Sequence, residues 1–330
     1  MTRMVNTIAF PKLNIELMIN RVAFTLFGKD IYWYGIIIAT GFLLGVCFAV
    51  WRAKKQGINP DAILDVVLWG LPVCIICARL FYVLGDPGVL DGGFSKIIAV
   101  WEGGIAIYGA VIGAVIVGVT YSLIKKINMG LLFDVCAPCI MIGQIIGRWG
   151  NFVNAEVYGR VTDSLFGMSI NGGAGVEPLF LYESVWMTCG LILILLCEKR
   201  KKVDGEIFLS YILWYGVGRF FLETLRPEQY VLRIGALALS QLTAMLAVIA
   251  SLAILLFLYF RRYKEKSAQK IKESNVMDKY TQLKEQIEMM RKELNELMDT
   301  EASQEQIYEK SCELDKLIDE EMKIMKEMSK

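Results

Sequence analysis

The chain has no histidine in its 330 residues, and that absence removes Ser-His and Cys-His nucleophilic catalysis together with every histidine metal site. Any general base must be a carboxylate, a tyrosine, a lysine or the substrate itself. Charge of one sign is also lacking: 35 basic residues stand against 34 acidic ones, so there is no basic excess of the kind nucleic acid attracts, and no nucleic-acid partner is expected. Eight cysteines are present, and Cys74-Ile-Ile-Cys77 and Cys136-Ala-Pro-Cys139 have a spacing that can hold zinc. Both pairs fall in apolar helical runs, where cysteine behaves as a small hydrophobe. No metal, cofactor or disulfide framework is therefore expected. The first 30 residues contain no uninterrupted apolar stretch leading to a small-residue cleavage site, so they are not read as a signal peptide.

What the chain does have is apolar length. Although 21% of residues are charged overall, the sequence breaks near Arg261, where long apolar runs give way to a Lys/Glu-rich tail. Before the break, stretches near 20 residues match the length a helix needs to cross roughly 30 Å of hydrocarbon at about 1.5 Å per residue. Spans are expected at 31–51, 62–84, 104–124, 131–147, 179–197, 206–225 and 237–260. The expected fold is thus all-α, a polytopic membrane protein of seven transmembrane helices with a soluble two-helix hairpin. Basic clusters at Arg52, Lys54 and Lys55, at Lys125 and Lys126, at Lys199 to Lys202, and at Arg261, Arg262, Lys264 and Lys266 alternate with the remaining connections. By the positive-inside rule they are cytoplasmic. The N-terminus, resting at the outer interface, and the loops at 85–103, 148–178 and 226–236 are then outside, and the C-terminus is cytoplasmic.

An ionisable group near the bilayer centre costs on the order of 3 kcal/mol on insertion scales, so each one in a span needs a reason. Arg79 lies near an outer helix end, where snorkelling and a contact to a lipid headgroup both fit. Glu183 in Leu181-Tyr-Glu-Ser184 fits an interhelical hydrogen bond or a site equally well. In the sixth span Arg219, Glu223 and Arg226 follow at i, i+4 and i+7 and share one helix face. A plain ion-pair ladder would use the same spacing, but two cations to one anion leave positive charge facing the bundle interior, which suits a phosphate. After the fourth span, Gly143-Gln-Ile-Ile-Gly-Arg-Trp-Gly-Asn-Phe-Val-Asn-Ala-Glu-Val-Tyr-Gly-Arg160 concentrates Arg148, Asn151, Asn154, Glu156 and Arg160 among glycines that permit close backbone approach. A solvated linker would not gather so many polar groups at a membrane interface.

The segment Gly147-Arg-Trp-Gly-Asn-Phe-Val-Asn-Ala-Glu-Val-Tyr-Gly-Arg160 resembles the signature of prolipoprotein diacylglyceryl transferases. Trp33-Tyr-Gly35, Arg79, Trp101 to Gly109, Glu177-Pro178, Leu181-Tyr-Glu183 and Tyr215 to Pro227 follow in the family's order, so the resemblance covers about residues 1–260. It implies an enzyme of the bacterial plasma membrane that joins the thiol of a prolipoprotein lipobox cysteine to the diacylglyceryl group of phosphatidylglycerol, releasing glycerol phosphate. Membrane lipid and prolipoprotein segments are then its partners. The site residues it implies are Tyr34, Arg148, Asn151, Glu156, Gly159, Arg219, Glu223 and Arg226, with Arg79 as a further substrate contact. Many members carry a histidine where this chain has Tyr108, so an imidazole base cannot operate here. The chemistry tolerates that loss, because a thiol of pKa near 8.5 is already a few per cent thiolate at neutral pH. The leaving phosphate needs charge stabilisation more than protonation. Arg148 and Arg219 are the candidates to hold it, with Tyr34 and Tyr108 as hydrogen-bond donors and Asn151 positioning the headgroup. A glutamate of ordinary pKa is too weak a base for a thiol by about four units, roughly 6 kcal/mol, so Glu156 and Glu223 are better suited to orienting arginines.

The expected domains are a membrane domain at 1–263, a polar linker at 264–276 and a cytoplasmic helical hairpin at 277–330, its helices at 277–299 and 303–328 joined by a turn at Thr300-Glu-Ala-Ser303. The hairpin reads as a self-associating coiled coil, and Ser311-Cys-Glu-Leu-Asp315 also resembles the Ser-Gln-Glu-Leu-Asp run of small aspartyl-phosphate phosphatases that act on a sporulation response regulator. That resemblance implies Ser311 and Asp315 as contacts to a partner's phosphoaspartate. The rival for the whole chain is a transporter or lipid-binding protein with a coiled-coil tail. It finds no matching halves or broken spans here.

Overall fold

The computed structural model describes residues 5–90, 93–299 and 303–328. The chain divides into two compact units, one to Leu256 and one from Phe257. In the first, β1 (Val5–Phe10), β2 (Ile15–Asn20), β3 (Val22–Leu26) and β4 (Lys29–Tyr32) precede α1 (Trp33–Lys55) and α2 (Pro60–Gly85). The short α3 (Pro87–Leu90) and α4 (Phe94–Ile98) lead to α5 (Ile107–Lys125) and α6 (Met129–Asn154). Then come β5 (Ser169–Ile170), α7 (Leu179–Cys197), α8 (Glu206–Glu223), β6 (Arg233–Ile234), β7 (Leu237–Ala238) and α9 (Leu239–Met298), which continues into the second unit ahead of α10 (Gln304–Met328).

The all-α expectation is corrected at the N-terminus. β1 pairs antiparallel with β2 on one side and β5 on the other, and β3 pairs with β4. β1 alternates buried and less buried positions, as a half-covered strand does. Phe27 and Gly28 both have positive φ, 49° and 74°, the backbone of the two-residue turn that matches strand twist. The strands are short, and the exposed Ile15, Leu17 and Met18 mask the alternation in β2.

Among the described residues, six helices are long and apolar enough to cross a membrane: α1, α2, α5, α6, Leu179–Arg200 and the long α9. The span expected at 206–225 is helical, but α8 is 18 residues long and includes Glu206, Arg219 and Glu223, too many charges for its length to qualify on composition alone. Small residues let the bundle close tightly. A Cβ on Gly45 of α1 would lie 3.0 Å from the Cys139 carbonyl of α6, and one on Gly109 of α5 would lie 2.2 Å from the Cys77 carbonyl of α2. Ala49, Ala53, Ile63, Leu132 and Val135 form the buried seam between α1, α2 and α6.

On the side of the basic loops, Arg52 makes a two-pronged pair with Glu198, both bonds 2.8 Å. Asp134 of α6 is fully buried. Its carboxylate accepts from the Gly205 and Phe208 amides at 2.8 and 2.9 Å and from Lys201 Nζ at 3.0 Å. It thereby caps the N-terminus of α8 from a neighbouring helix, satisfying donors that α8 cannot satisfy itself.

The polar stretch expected as a linker at 264–276 is helix, part of the unbroken α9. It contains neither Gly nor Pro, and i, i+4 pairs such as Arg261–Glu265 and Gln269–Glu273 support it. In the second unit, Leu283 and Ile287 of α9 pack with Leu314 and Ile324 of α10. Lys279–Glu320 at 2.8 Å and Lys310–Glu293 at 3.0 Å flank that seam. Ser303 and Gln306 exchange the reciprocal bonds of a capping box at the start of α10. The rest of the expected turn, Thr300 to Ala302, lies outside the described residues.

Candidate functional site

Three helices converge on one buried carboxylate. Glu183, in the second turn of α7 after Pro178, pairs with Arg148 of α6 and lies 3.9 Å from Arg219 of α8 and 3.8 Å from Arg226 just beyond it. Glu223 sits beside the same two arginines, 3.0 Å from Arg219 and 3.3 Å from Arg226. The glutamates are buried, with side chains 9% and 5% exposed, whereas the arginines retain 20–26%. Three guanidinium groups against two carboxylates leave one positive charge. Burial first, and then the Arg219 guanidinium, hold Arg226 below the ordinary arginine value.

Two spaces adjoin this cluster. A small cavity of about 20 Å³ is lined by Gln144, Arg148, Glu183, Trp186, Tyr215 and Arg219 among others. A larger one, about 450 Å³, is lined by Ala155 to Tyr158, Arg226 and Pro227, so Arg226 faces both the ion cluster and open space. The loop that walls the larger cavity is held in a rare conformation: Ala155 and Val157 have φ of 52° and 55°, unusual for residues with a Cβ and most of all for a β-branched one. Asn151 fastens it, donating to Glu156 Oε1 at 3.0 Å while the Glu156 amide bonds the Asn151 carbonyl.

Gly159 has a packing role. A Cβ there would lie 2.6 Å from Glu177 Cβ and 2.8 Å from the Leu225 carbonyl, and its amide bonds Glu177 O at 2.8 Å. It thus brings the signature loop against the segment that delivers Arg226. Tyr34 is placed by another glycine, its ring lying against Gly150 of α6, where a Cβ would come within 2.9 Å.

The spacing between α7 and α8 is fixed by a reciprocal clasp. Trp186 and Trp214 stack with centroids 4.4 Å apart. Each indole N–H donates to the other's backbone carbonyl, at 3.0 and 2.9 Å, and each ring fills the space over a glycine of the facing helix, Gly218 and Gly190. A methyl added at Gly218 would meet Trp186 Nε1 at 2.2 Å. Gly218→Ala is expected to cost about 1–3 kcal/mol through overpacking, read by thermal unfolding in detergent. Combined with Trp186→Leu, which makes room, it should lose less than the sum of the two single changes. Strictly additive losses would contradict the clasp.

Of the residues expected from sequence, Arg148, Arg219, Glu223 and Arg226 meet in one cluster. Glu156 walls the cavity beside it and Asn151 holds Glu156 there, Tyr34 stands against α6, and Gly159 packs behind. Two are placed elsewhere. Arg79 is buried and gives its guanidinium to the carbonyls of Lys96, Ile97, Gly103 and Gly104, so it holds a loop. Tyr108 packs beside Phe81, centroids 6.1 Å apart, and among the described residues no hydrogen bond or ion pair joins it to the cluster. Sequence reasoning left Glu183 undecided and omitted Gln144, which bonds Tyr211 at 3.1 Å. The signals were an intramembrane carboxylate and a polar residue four before Arg148 on one helix face.

Two family models match the chain. Residues 21–257 match the family model of prolipoprotein diacylglyceryl transferase, and residues 283–323 match that of Spo0E like sporulation regulatory protein. Proteins named phosphatidylglycerol–prolipoprotein diacylglyceryl transferase are similar over most of the chain. That of Pediococcus pentosaceus is 41% identical over 72% of this chain and 90% of its own. The Bacillus velezensis protein is 36% identical over 75% and 95%, and the Lysinibacillus sphaericus protein 39% over 77% and 96%. The matched segment contains the arginine cluster, the signature loop and the clasp between α7 and α8, and the chain belongs to the prolipoprotein diacylglyceryl transferase family.

Proposed function

We propose that this chain transfers the diacylglyceryl group of phosphatidylglycerol to the lipobox cysteine of a prolipoprotein, the first step of lipoprotein modification. The observation that carries the reading is the single surplus positive charge of Arg148, Arg219 and Arg226 around Glu183 and Glu223. The sulfur attacks the glyceryl carbon that bears the phosphate, a carbon–sulfur bond forms, and the carbon–oxygen bond to the phosphate breaks. Glycerol phosphate leaves and can itself take up the thiol proton, so no imidazole is needed. The arginines stabilise the phosphate as negative charge grows on it. Glu183 and Glu223 orient them, and Asn151 and Glu156 shape the cavity that receives the headgroup. Release of glycerol phosphate from phosphatidylglycerol should require a peptide with a lipobox cysteine. Release that is equally fast with the cysteine replaced by serine would reject the thiol transfer.

The same reading places the enzyme in the bacterial plasma membrane with seven spans, α8 included. α8 packs against α6 and α7, which would shelter its charges from lipid. With the basic clusters inside, the N-terminus is outside and the tail cytoplasmic, where the match at 283–323 supports a phosphatase-like contact between Ser311, Asp315 and a sporulation response regulator. Asp315 is exposed beside the buried Leu314, as a partner-facing residue must be. Truncation after about residue 265 is expected to leave lipid transfer within about twofold of the full chain. The full chain should shorten the lifetime of the phosphorylated regulator, and Asp315→Ala should abolish that effect with helicity unchanged by circular dichroism. An Asp315→Ala protein as active as its parent would reduce the tail to a plain hairpin.

A further inference from the structure

Transfer requires two substrates of opposite character, an anionic lipid head and the secretory leader that presents the thiol, which ends in apolar and small residues near its cleavage site. Two cavities flank the C-terminal end of α6. The one beside Arg226 has already been given to the lipid head. The other, about 680 Å³, lies between β4, the start of α1 and Asn154. Arg21 and Asp30, one charge of each sign, line it, so it holds no net positive charge for a phosphate. β4 pairs only with β3 among the described strands, which leaves its other edge with unpaired backbone donors and acceptors. An extended peptide can add to such an edge. Acyl chains have no groups to pair there and already have the bilayer as a solvent.

We infer that this cavity, with the free edge of β4, docks the extended uncharged segment of the acceptor polypeptide around its cysteine. The inference rests on the transferase reading above. Tyr34 joins the two halves of the site: it lines this cavity, and its ring lies against Gly150, two residues after Arg148 and one before Asn151. A thiol held on the β4 side therefore approaches the phosphate-binding arginines past Tyr34.

Gly35 lines the cavity, and a Cβ built there meets nothing within 4 Å, so the side chain of Gly35→Phe starts into open space. In the full chain it should raise KM for a lipobox peptide at least tenfold and leave KM for phosphatidylglycerol unchanged. A rise confined to the lipid, or no change in either constant, would overturn the proposal. A second measurement is independent of turnover: photoreactive benzoylphenylalanine replaces Ile31 in the full chain, in phosphatidylglycerol nanodiscs with a peptide whose cysteine is serine. A peptide adduct supports the docking site, and a lipid adduct alone rejects it. If the parent chain transfers no lipid yet the peptide cross-links, the transferase reading fails and the docking surface stands.

Discussion

Arg148→Ala and Arg219→Ala are each expected to lower kcat/KM for diacylglyceryl transfer at least about 100-fold, on the order of 3 kcal/mol of transition-state stabilisation, while the protein still inserts. The reason is charge arithmetic within the cluster. Three arginines and two glutamates leave one positive charge for the phosphate, and removing either arginine makes the cluster neutral. Arg148 is the sharper case, because it pairs with Glu183 from α6 whereas the other two arginines come from α8 and its C-terminal end. Lysine should rescue poorly at either position, since an ammonium cannot make the planar two-pronged contact. Rates near the parent's in both alanine variants would remove these residues from the site.

Asp134→Ala carries the largest expected effect on stability, about 3–5 kcal/mol, because it takes one of two carboxylates from a half-buried lysine and leaves two helix-end amides without their acceptor. Burial alone would depress Lys201, but its bonds to Asp204 and Asp134 outweigh burial and raise it; the lysine is held charged by the carboxylates it touches. With Asp134 gone, Lys201 keeps Asp204, 2.9 Å away, while the Gly205 and Phe208 amides at the head of α8 lose their cap. At roughly 2–4 °C per kcal/mol for a unit of this size, the midpoint of thermal unfolding in detergent should fall by roughly 6–20 °C. Asp134→Asn, which keeps one oxygen acceptor, should lose less. A midpoint within 2 °C of the parent for Asp134→Ala would show that the cap contributes little.

The helices and most of the site were legible in the sequence because both leave periodic or costly marks. Apolar runs of about 20 residues mark spans, and Arg219, Glu223 and Arg226 at helical spacing along an apolar helix and just past its end mark a face that must meet something charged. Pairing across elements was less legible. Glu183 reads alone as one carboxylate in an apolar helix, and only the convergence of α6, α7 and α8 makes it the hub of three arginines. The partners of Arg79 were illegible for the same reason: they are backbone carbonyls of residues 96–104, which no side-chain pattern announces. The hairpins at 5–32 were missed because short strands with apolar residues on both faces carry little period-two signal. The 264–276 segment reads as a linker from its polarity, and its lack of Gly and Pro accords with the helix it forms.

The central claim is tested most directly by weighing the acceptor. Purified chain is incubated with phosphatidylglycerol and a lipobox peptide, and the peptide is examined by mass spectrometry. The account predicts a gain equal to one diacylglyceryl group on the cysteine sulfur, absent when serine replaces that cysteine and absent with Arg148→Ala. A peptide of unchanged mass, or one that gains the same mass without its cysteine, would contradict it.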